Sequence, residues 1–461
     1  MRKEDSYLPG YLLGESYTVT REDFGDDFHW GVASCAFQTE GSPTSDGKGV
    51  SIWDRFTTKK RAILNGDKAN YACDFYNLYR DDIQRINYLN FKAFRTSIAW
   101  TRILPTGRGL INTKGLDYYD RMIDFCLKCD VDPWLTLYHW DLPQALQDRG
   151  GWKNRDIISW FSDYVDKVTR KYGDRVKNWM VLNEPLVFTA LGYLLGIHAP
   201  GLRGLSNFFP AVHHATMCQA AGGKIIRSNV KHSYIGTTFS CAPTFPYKET
   251  VRSLNAAKRA DVVLNRLYIE PVLGMGYPSE DFKLLQGIES YMKAGDDLLL
   301  PFDFDFIGIQ NYTREVITFS ITQPYGWMKQ VRACDRRVPV TEMGWEVYPP
   351  SIYLALKQFS NYEGVKAIIV TENGAAFKDT IENGKVYDKQ RQSFIMENLE
   401  QIWRAKKEGV NVKGYFCWTL LDNFEWAEGF KPRFGLIHVN HKTQERIIKE
   451  SGYWFKDFLS N

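Results

Sequence analysis

Eight apolar runs of strand length recur along the chain, separated by stretches whose apolar residues return at helical spacing. HWGVAS (29–34), FKAFRTSI (91–98), DPWLTLYHW (132–140) and KNWMVLNEP (177–185) come first. SYIGTTFS (233–240), DFIGIQNYT (305–313), VKAIIVTENG (365–374) and KGYFCWTLLDN (413–423) follow. The runs are continuous instead of strictly alternating, the habit of parallel strands covered on both faces. Between them, DFYNLYRDDIQRINYL, GLDYYDRMIDFCLKCD, IISWFSDYVDKVTRKYG and QSFIMENLEQIWRAKKEG carry apolar residues near i, i+3, i+4 and i+7, and the last two close on Gly, a usual helix stop. Strands alternating with helices eight times predict an α/β fold, a single-domain (β/α)8 TIM barrel. No Pro/Ser-rich linker, low-complexity tract or repeat interrupts the alternation, so residues 21–461 read as one barrel domain. Residues 1–20 carry turn residues without a sustained period and read as an exposed lead-in.

Length leaves the domain count open at 461 residues, but 44% hydrophobic and 24% charged residues describe a globular chain with ample core material. Aromatics are high at 15%, with 14 Trp and 26 Tyr. Composition alone favours an aromatic-rich core; the alternative is a cleft lined with rings that stack on sugar faces. Lys plus Arg number 58 against 54 Asp plus Glu, a net +4 without a dense basic run, which excludes nucleic acid and an anionic membrane as suggested partners. The first residues lack an apolar leader core and nowhere do 18 apolar residues run together, so a cytoplasmic location is expected. Eight cysteines are scattered too thinly for a disulfide-stapled domain. Cys126 and Cys129 form a CxxC on a helical pattern with no second ligand pair at zinc spacing, so buried free thiols are expected and no metal.

In such a barrel the catalytic groups stand at the C-terminal strand ends, and the run ends here are unusually polar and aromatic. Gln38 and Glu40 follow the first run, Arg95 lies in the second, His139 and Trp140 end the third, Asn183 and Glu184 the fourth. Tyr312 ends the sixth, Glu372 and Asn373 the seventh, and Trp418, Glu425 and Trp426 belong to the eighth. LNEP and TENG each place one glutamate past a buried run, and a facing pair of carboxylates is the minimal machinery for cleaving a glycosidic bond. Each segment alone has an ordinary reading: NEP as a helix cap with Pro in the first turn, TENG as a type I′ hairpin turn. Together, in a barrel context, the paired-carboxylate reading is the better one.

The chain resembles the retaining β-glycosidases of glycoside hydrolase family 1 from about residue 24 onward. The resemblance rests on FHWGVASCAFQTEG, FRTSIAWTRILP, LTLYHWDLPQAL, NWMVLNEP, DFIGIQNYT, IIVTENGAAF and WTLLDNFEWAEGFKPRFGL in that order. It implies Glu184 as general acid/base and Glu372 as nucleophile, with Arg95 and Tyr312 orienting the nucleophile. It further implies Gln38, His139, Asn183, Glu425 and Trp426 as binders of sugar hydroxyls, with Asn183 at the 2-OH, Trp418 as the platform under the ring and His139 as a binder, not a base. Trp140 and Phe434 join the substrate-binding set, and Trp345 walls the leaving-group site. A second carboxylate nearby would raise the Glu184 pKa, and a cation beside Glu372 would hold that group ionised.

What the resemblance implies is an exo-acting β-glucosidase, with β-galactosidase or β-fucosidase side activity, needing no cofactor. Its substrates would be small β-glucosides or β-linked oligosaccharides. A retaining enzyme requires a carboxyl separation of ~5 to 5.5 Å. A transglycosidase and a catalytically silent sugar-binding protein on the same fold are the alternatives. Two features bear on specificity. Gln310 stands where the family usually has Asn, so its contacts are expected to be kept but re-aimed. Glu425 and Trp426 are intact where the phosphosugar-specific branch has smaller residues, and a carboxylate there would repel a 6-phosphate.

Overall fold

The computed structural model describes residues 19–460. Most of the expected lead-in, residues 1–18, lies outside the described residues. Eight parallel strands close into a barrel in strict sequence order: β1 His29–Ala33, β2 Ala93–Ser97, β3 Asp132–Tyr138, β4 Asn178–Asn183, β5 Tyr234–Ser240, β6 Phe306–Gln310, β7 Ile368–Asn373 and β8 Val412–Trp418. Seven fall inside one of the eight apolar runs and β8 starts one residue ahead of its run; β8 returns to pair with β1, His29 opposite Gly414 through Ala33 opposite Trp418. The four expected helices are present as Phe75–Tyr88, Thr113–Lys128, Ile157–Tyr172 and Lys389–Lys407, apolar face inward.

The N-terminal end of the barrel is plugged by rings. Trp134 lies 5.0 Å from Phe416 and 5.8 Å from Phe306, and Tyr234 lies 4.8 Å from Phe306, centroid to centroid. Room for them comes from two strand glycines: a Cβ on Gly31 would stand 2.3 Å from Phe416, and one on Gly236 2.3 Å from Phe306. Small residues opposite large ones fill a barrel interior that bulky chains on all strands would overfill. With rings filling the bottom, the side chains at the C-terminal strand ends are left to line a cavity.

Two irregularities in the ladder aim the key side chains. Between Met180 and Asn183, three residues of β4 oppose two of β5; between Val370 and Glu372, two residues of β7 oppose one of β6. A bulge resets the in-out alternation, so a residue that simple alternation would send outward faces inward. On β7, Thr371 and Glu372 therefore both point inside, while Asn373 turns to Asn398 on an outer helix, its Nδ2 3.2 Å from Asn398 Oδ1. Both bulges occur on the strands that deliver the two glutamates.

One expectation needs correction. The helix ending at Tyr172 does not stop through a left-handed glycine: Gly173 has φ −66° and is required for space, since a Cβ would stand 2.5 Å from Thr169 O and 2.6 Å from Val230 Cγ2. Residues 201–209 and 313–335, which carry no readable motif, contain the start of a helix Leu205–Asn229 and the strands Glu315–Phe319 and Met328–Gln330. That helix is buried on nearly all sides and so has no amphipathic period to read. All eight cysteines are free thiols, Cys334 exposed, Cys129 partly buried and the rest buried. No helix among the described residues is long and apolar enough to cross a membrane.

Candidate active site

Above the ring plug, Arg95 rises from β2, wholly buried, its Nε 3.2 Å from Met180 Sδ. Its guanidinium donates to Glu372 Oε1 and to Asn183 Oδ1. Gln310, the last residue of β6, donates from Nε2 to the same two oxygens, at 2.8 Å and 2.7 Å. Tyr312 OH donates to Glu372 Oε2 at 2.7 Å. Three side chains thus grip one carboxylate, one of them a permanent cation.

Glu184 is held differently. It follows the last residue of β4 and sits in the left-handed region at φ 45°, ψ 66°, where a residue with a Cβ is strained by roughly 1–2 kcal/mol. Its position is the cap of the short helix Pro185–Thr189, with Pro in the first turn, so the ordinary reading of NEP is geometrically true. Yet the side chain caps nothing, and it lines the cavity instead. Trp140 at φ 76° and Trp426 at φ 47° carry the same strain in the same cavity, a concentration typical of functional sites. TENG is no hairpin turn: Thr371 to Asn373 remain in β7, and Gly374 is needed because a Cβ would stand 1.9 Å from Trp418 O.

The environments separate the two carboxyls. Burial first, and the charge of Glu372 second, push the Glu184 carboxyl well above the ordinary range, opposed by the Ser240 hydroxyl and Arg95. Burial therefore leads, where the sequence reading credits the neighbouring carboxylate. Burial also pushes Glu372 up, but Arg95 and Tyr312 hold that rise in check. Of the pair, Glu184 keeps its proton to the higher pH.

A cavity of about 430 Å³ at the C-terminal mouth contains both glutamates. Its walls include His139, Trp140, Gln310 and Tyr312, then Trp345, Trp418, Glu425, Trp426 and Phe434. Arg95, Gln38 and Asn183 stand behind this surface. Asn183 Oδ1 is fully used, accepting from Arg95, Gln310 and Thr238, and its Nδ2 lies 3.0 Å from His139 Nε2. Burial and Arg95 hold His139 well below its usual pKa, so the ring is neutral, with Nε2 accepting from Asn183 and the proton on Nδ1. That Nδ1, with Gln38 Oε1 and Gln310 Oε1, is buried without a partner among the described residues. Each unpaired buried polar atom costs roughly 1–3 kcal/mol. A polyhydroxylated ligand would satisfy them.

Rings complete the pocket. Trp426 stacks on Phe37 at 5.9 Å and meets Trp53 and Trp140 each at 4.6 Å; Trp345 leans on Tyr312 at 5.3 Å. The aromatic excess serves both uses weighed from composition, since Trp53, Trp100, Trp134, Trp152 and Trp179 are fully buried in the core. Cavity residues absent from the sequence reading include Ser240, Met343 and Glu315. Ser240 ends β5, and the strand-end rule applied to that run points to it. Met343 and Glu315 lie on connecting segments and leave no such signal.

Among the described residues, one cluster has metal-ligand character: Asp379, Asp422 and His438, away from the cavity. The Lys449 ammonium already lies 2.6 Å from Asp379 and 2.7 Å from Asp422, and Arg433 lies 2.9 Å from Asp422. It is a compensated ion cluster, not a vacant site.

A sealed (β/α)8 barrel with two buried glutamates at its open mouth, ringed by tryptophans and unpaired hydrogen-bonding atoms, is a glycoside hydrolase. The chain belongs to glycosyl hydrolase family 1, whose model matches residues 20–461. It is 41% identical to a 1,4-beta-D-glucan glucohydrolase of Thermotoga neapolitana and 41% to beta-glucosidase A of Thermotoga maritima, in each case covering 95% of this chain and 98% of the relative. The solved structure of the Thermotoga maritima beta-glucosidase in complex with deoxynojirimycin superposes with a TM-score of 0.91 at 40% identity, covering 95% of this chain and 98% of that one.

Proposed function

We propose that this chain is a retaining exo-β-glycosidase acting on terminal β-D-glucosyl residues, with β-D-galactosyl and β-D-fucosyl groups as side substrates. The carrying observation is the asymmetry of the glutamates: Glu372 is gripped by Arg95, Gln310 and Tyr312, while Glu184 in the same cavity has no cation bonded to it among the described residues. Glu372 attacks the anomeric carbon as Glu184 protonates the departing oxygen. Glu184 then takes a proton from water, which displaces Glu372 and releases the sugar in its β configuration. The names of the Thermotoga relatives support the glucosyl preference. Two intact, differently held glutamates weigh against a silent sugar binder. NMR of an aryl β-glucoside during turnover is expected to show the β-anomer first; initial α-anomer would overturn the retaining mechanism.

Glu425 and Gln38, joined at 3.4 Å, and His139 Nδ1 would receive the glycone hydroxyls. Trp418 and Trp426 would stack on its faces. Asn183, its carbonyl spent on three donors, acts chiefly as the strut between Arg95, Gln310 and His139, with one amide hydrogen left for the 2-OH. Burial and the charge of Glu372 push the Glu425 carboxyl up to about 8, so at neutral pH it is mostly protonated and donates. Charge repulsion by Glu425 is then a poor reason to exclude phosphosugars. A better one is that no Lys or Arg among the described residues lines the cavity, which leaves a phosphate without a counter-charge from them. Unphosphorylated glycosides are the substrates.

Gln310 provides a sharper test of this chain's own design. Gln310→Asn withdraws the amide by one methylene, which breaks the 2.8 Å bond to Glu372 or the 2.7 Å bond to Asn183. Loss of a hydrogen bond to a charged group is worth ~1.5–3 kcal/mol, so kcat/KM for an aryl β-glucoside is expected to fall roughly 10- to 100-fold. An unchanged kcat/KM would remove Gln310 from the nucleophile's support. Residues 21–461 are proposed to act as one domain, in keeping with a single barrel closed from β1 to β8. Eight free thiols accord with the reducing cytoplasm.

A further inference from the structure

A second cavity of about 340 Å³ adjoins the first and shares four lining residues with it: Thr313, Glu315, Met343 and Trp345. These four lie on two segments that follow β6 and precede β7, on the side of the nucleophile's tyrosine. From this junction we infer that the second cavity holds the far part of the leaving group, and that Glu315 determines specificity for a hydroxyl-rich, two-sugar aglycone. The inference rests on the glycosidase reading above and extends it past the glycosidic bond.

The junction is built, not incidental. Thr313 Oγ1 donates to Glu346 O at 2.8 Å, and Ser351 Oγ and Asn311 Nδ2 donate to Thr313 O at 2.8 Å and 3.1 Å. Arg314 binds Glu346 in two-pronged fashion at 2.9 Å and 3.0 Å, and Arg336 adds a bond at 2.7 Å. These bonds fix the segment carrying Glu315, while Trp345 is fixed against Tyr312 and Phe434. Glu315 itself is aimed by Gln330, whose Nε2 donates to Oε2 at 2.7 Å; Oε1 receives no hydrogen bond from the described residues. A positioned carboxyl with a free oxygen, beside an indole, in the wall common to two cavities is the pairing that recognises a sugar: the ring packs on the indole and the hydroxyls bond the oxygen. The second cavity has a mixed lining: Gln330, Arg332 and Arg336 offer hydrogen bonds to hydroxyls, while Val316, Val331 and Met343 offer apolar surface to the faces of a sugar ring.

The test compares cellotriose with an aryl β-glucoside, whose single-ring leaving group is shorter than a two-sugar aglycone. Wild-type enzyme is expected to show a higher kcat/KM for cellotriose than for cellobiose, because only cellotriose reaches the second cavity. In Glu315→Ala, the ratio of kcat/KM for cellotriose to that for the aryl glucoside should fall roughly three- to tenfold, as for loss of a hydrogen bond at a carboxyl that burial leaves only partly ionised at neutral pH. Gln330→Ala, which frees the carboxyl without removing it, should lower the ratio by less. Lys329→Ala, exposed on the same strand and outside both cavities, should leave it unchanged. Equal wild-type values on cellobiose and cellotriose, or an unaltered ratio in Glu315→Ala, would overturn the proposal. A wild-type enzyme inert towards the aryl glucoside would instead overturn the glycosidase reading beneath it.

Discussion

Glu372→Gln is expected to lower kcat on aryl β-glucosides by roughly four orders of magnitude or more, the scale seen when a covalent nucleophile is removed. The neutral amide cannot form the glycosyl ester, and it carries no charge to stabilise the positive anomeric centre. Its shape, however, is preserved. The amide oxygen can take the place of Oε1 and accept from Arg95 and Gln310, while the amide nitrogen meets the Tyr312 hydroxyl, which can turn to accept. Binding groups such as His139 and Glu425 are untouched, so the dissociation constant for an unreactive glucoside analogue should stay within roughly tenfold of wild type. Calorimetry on the variant measures that, and single-turnover assays measure the rate. Residual kcat above about one per cent of wild type would assign the nucleophile elsewhere.

The barrel was legible because its strands are buried on both faces. A continuous apolar run such as KNWMVLNEP announces that burial without any partner being known. What could not be read were the bulges in β4 and β7, since an extra residue in a ladder is defined by the neighbouring strand, which lies far away in sequence. Without them, strict alternation from Thr371 would turn Glu372 outward. The helix Leu205–Asn229 escaped for the opposite reason: wrapped by the barrel and its loops, it has no polar face to set a period.

The site was legible where chemistry and strand end coincide. Glu184, Glu372, Tyr312 and His139 are polar residues closing apolar runs, and the fold brings all four to one cavity. Their division of labour was less so. Asn183 reads as a ligand contact from sequence, but the structure spends it on Arg95, Gln310 and His139, a network that only three-dimensional proximity reveals. The state of Glu425 was equally hidden, because burial, and not residue type, decides its proton.

Glu184→Gln is expected to divide substrates by leaving group. An activated aryl alcohol such as a dinitrophenol departs as an anion, so glycosylation of Glu372 proceeds without an acid, whereas a sugar or alkyl alcohol must be protonated as it leaves. General acid catalysis contributes about 10²–10⁴-fold, so kcat/KM for cellobiose should fall by that factor while the activated aryl glucoside loses at most about tenfold. The pH profile provides an independent check. Because burial and the charge of Glu372 raise the Glu184 carboxyl, the wild-type enzyme keeps the required proton until pH climbs through that raised pKa, and kcat/KM for cellobiose then declines. Towards acid the decline has another source, protonation of Glu372, the proposed nucleophile, which Arg95 and Tyr312 hold. In Glu184→Gln the alkaline decline should disappear for the activated substrate and the acid one should remain. Its position should stay close to that of the wild type, because where Glu372 titrates Glu184 is still protonated, and the neutral amide removes no charge there. Equal losses on both substrates, or an alkaline limb that survives the substitution, would take the acid role away from Glu184.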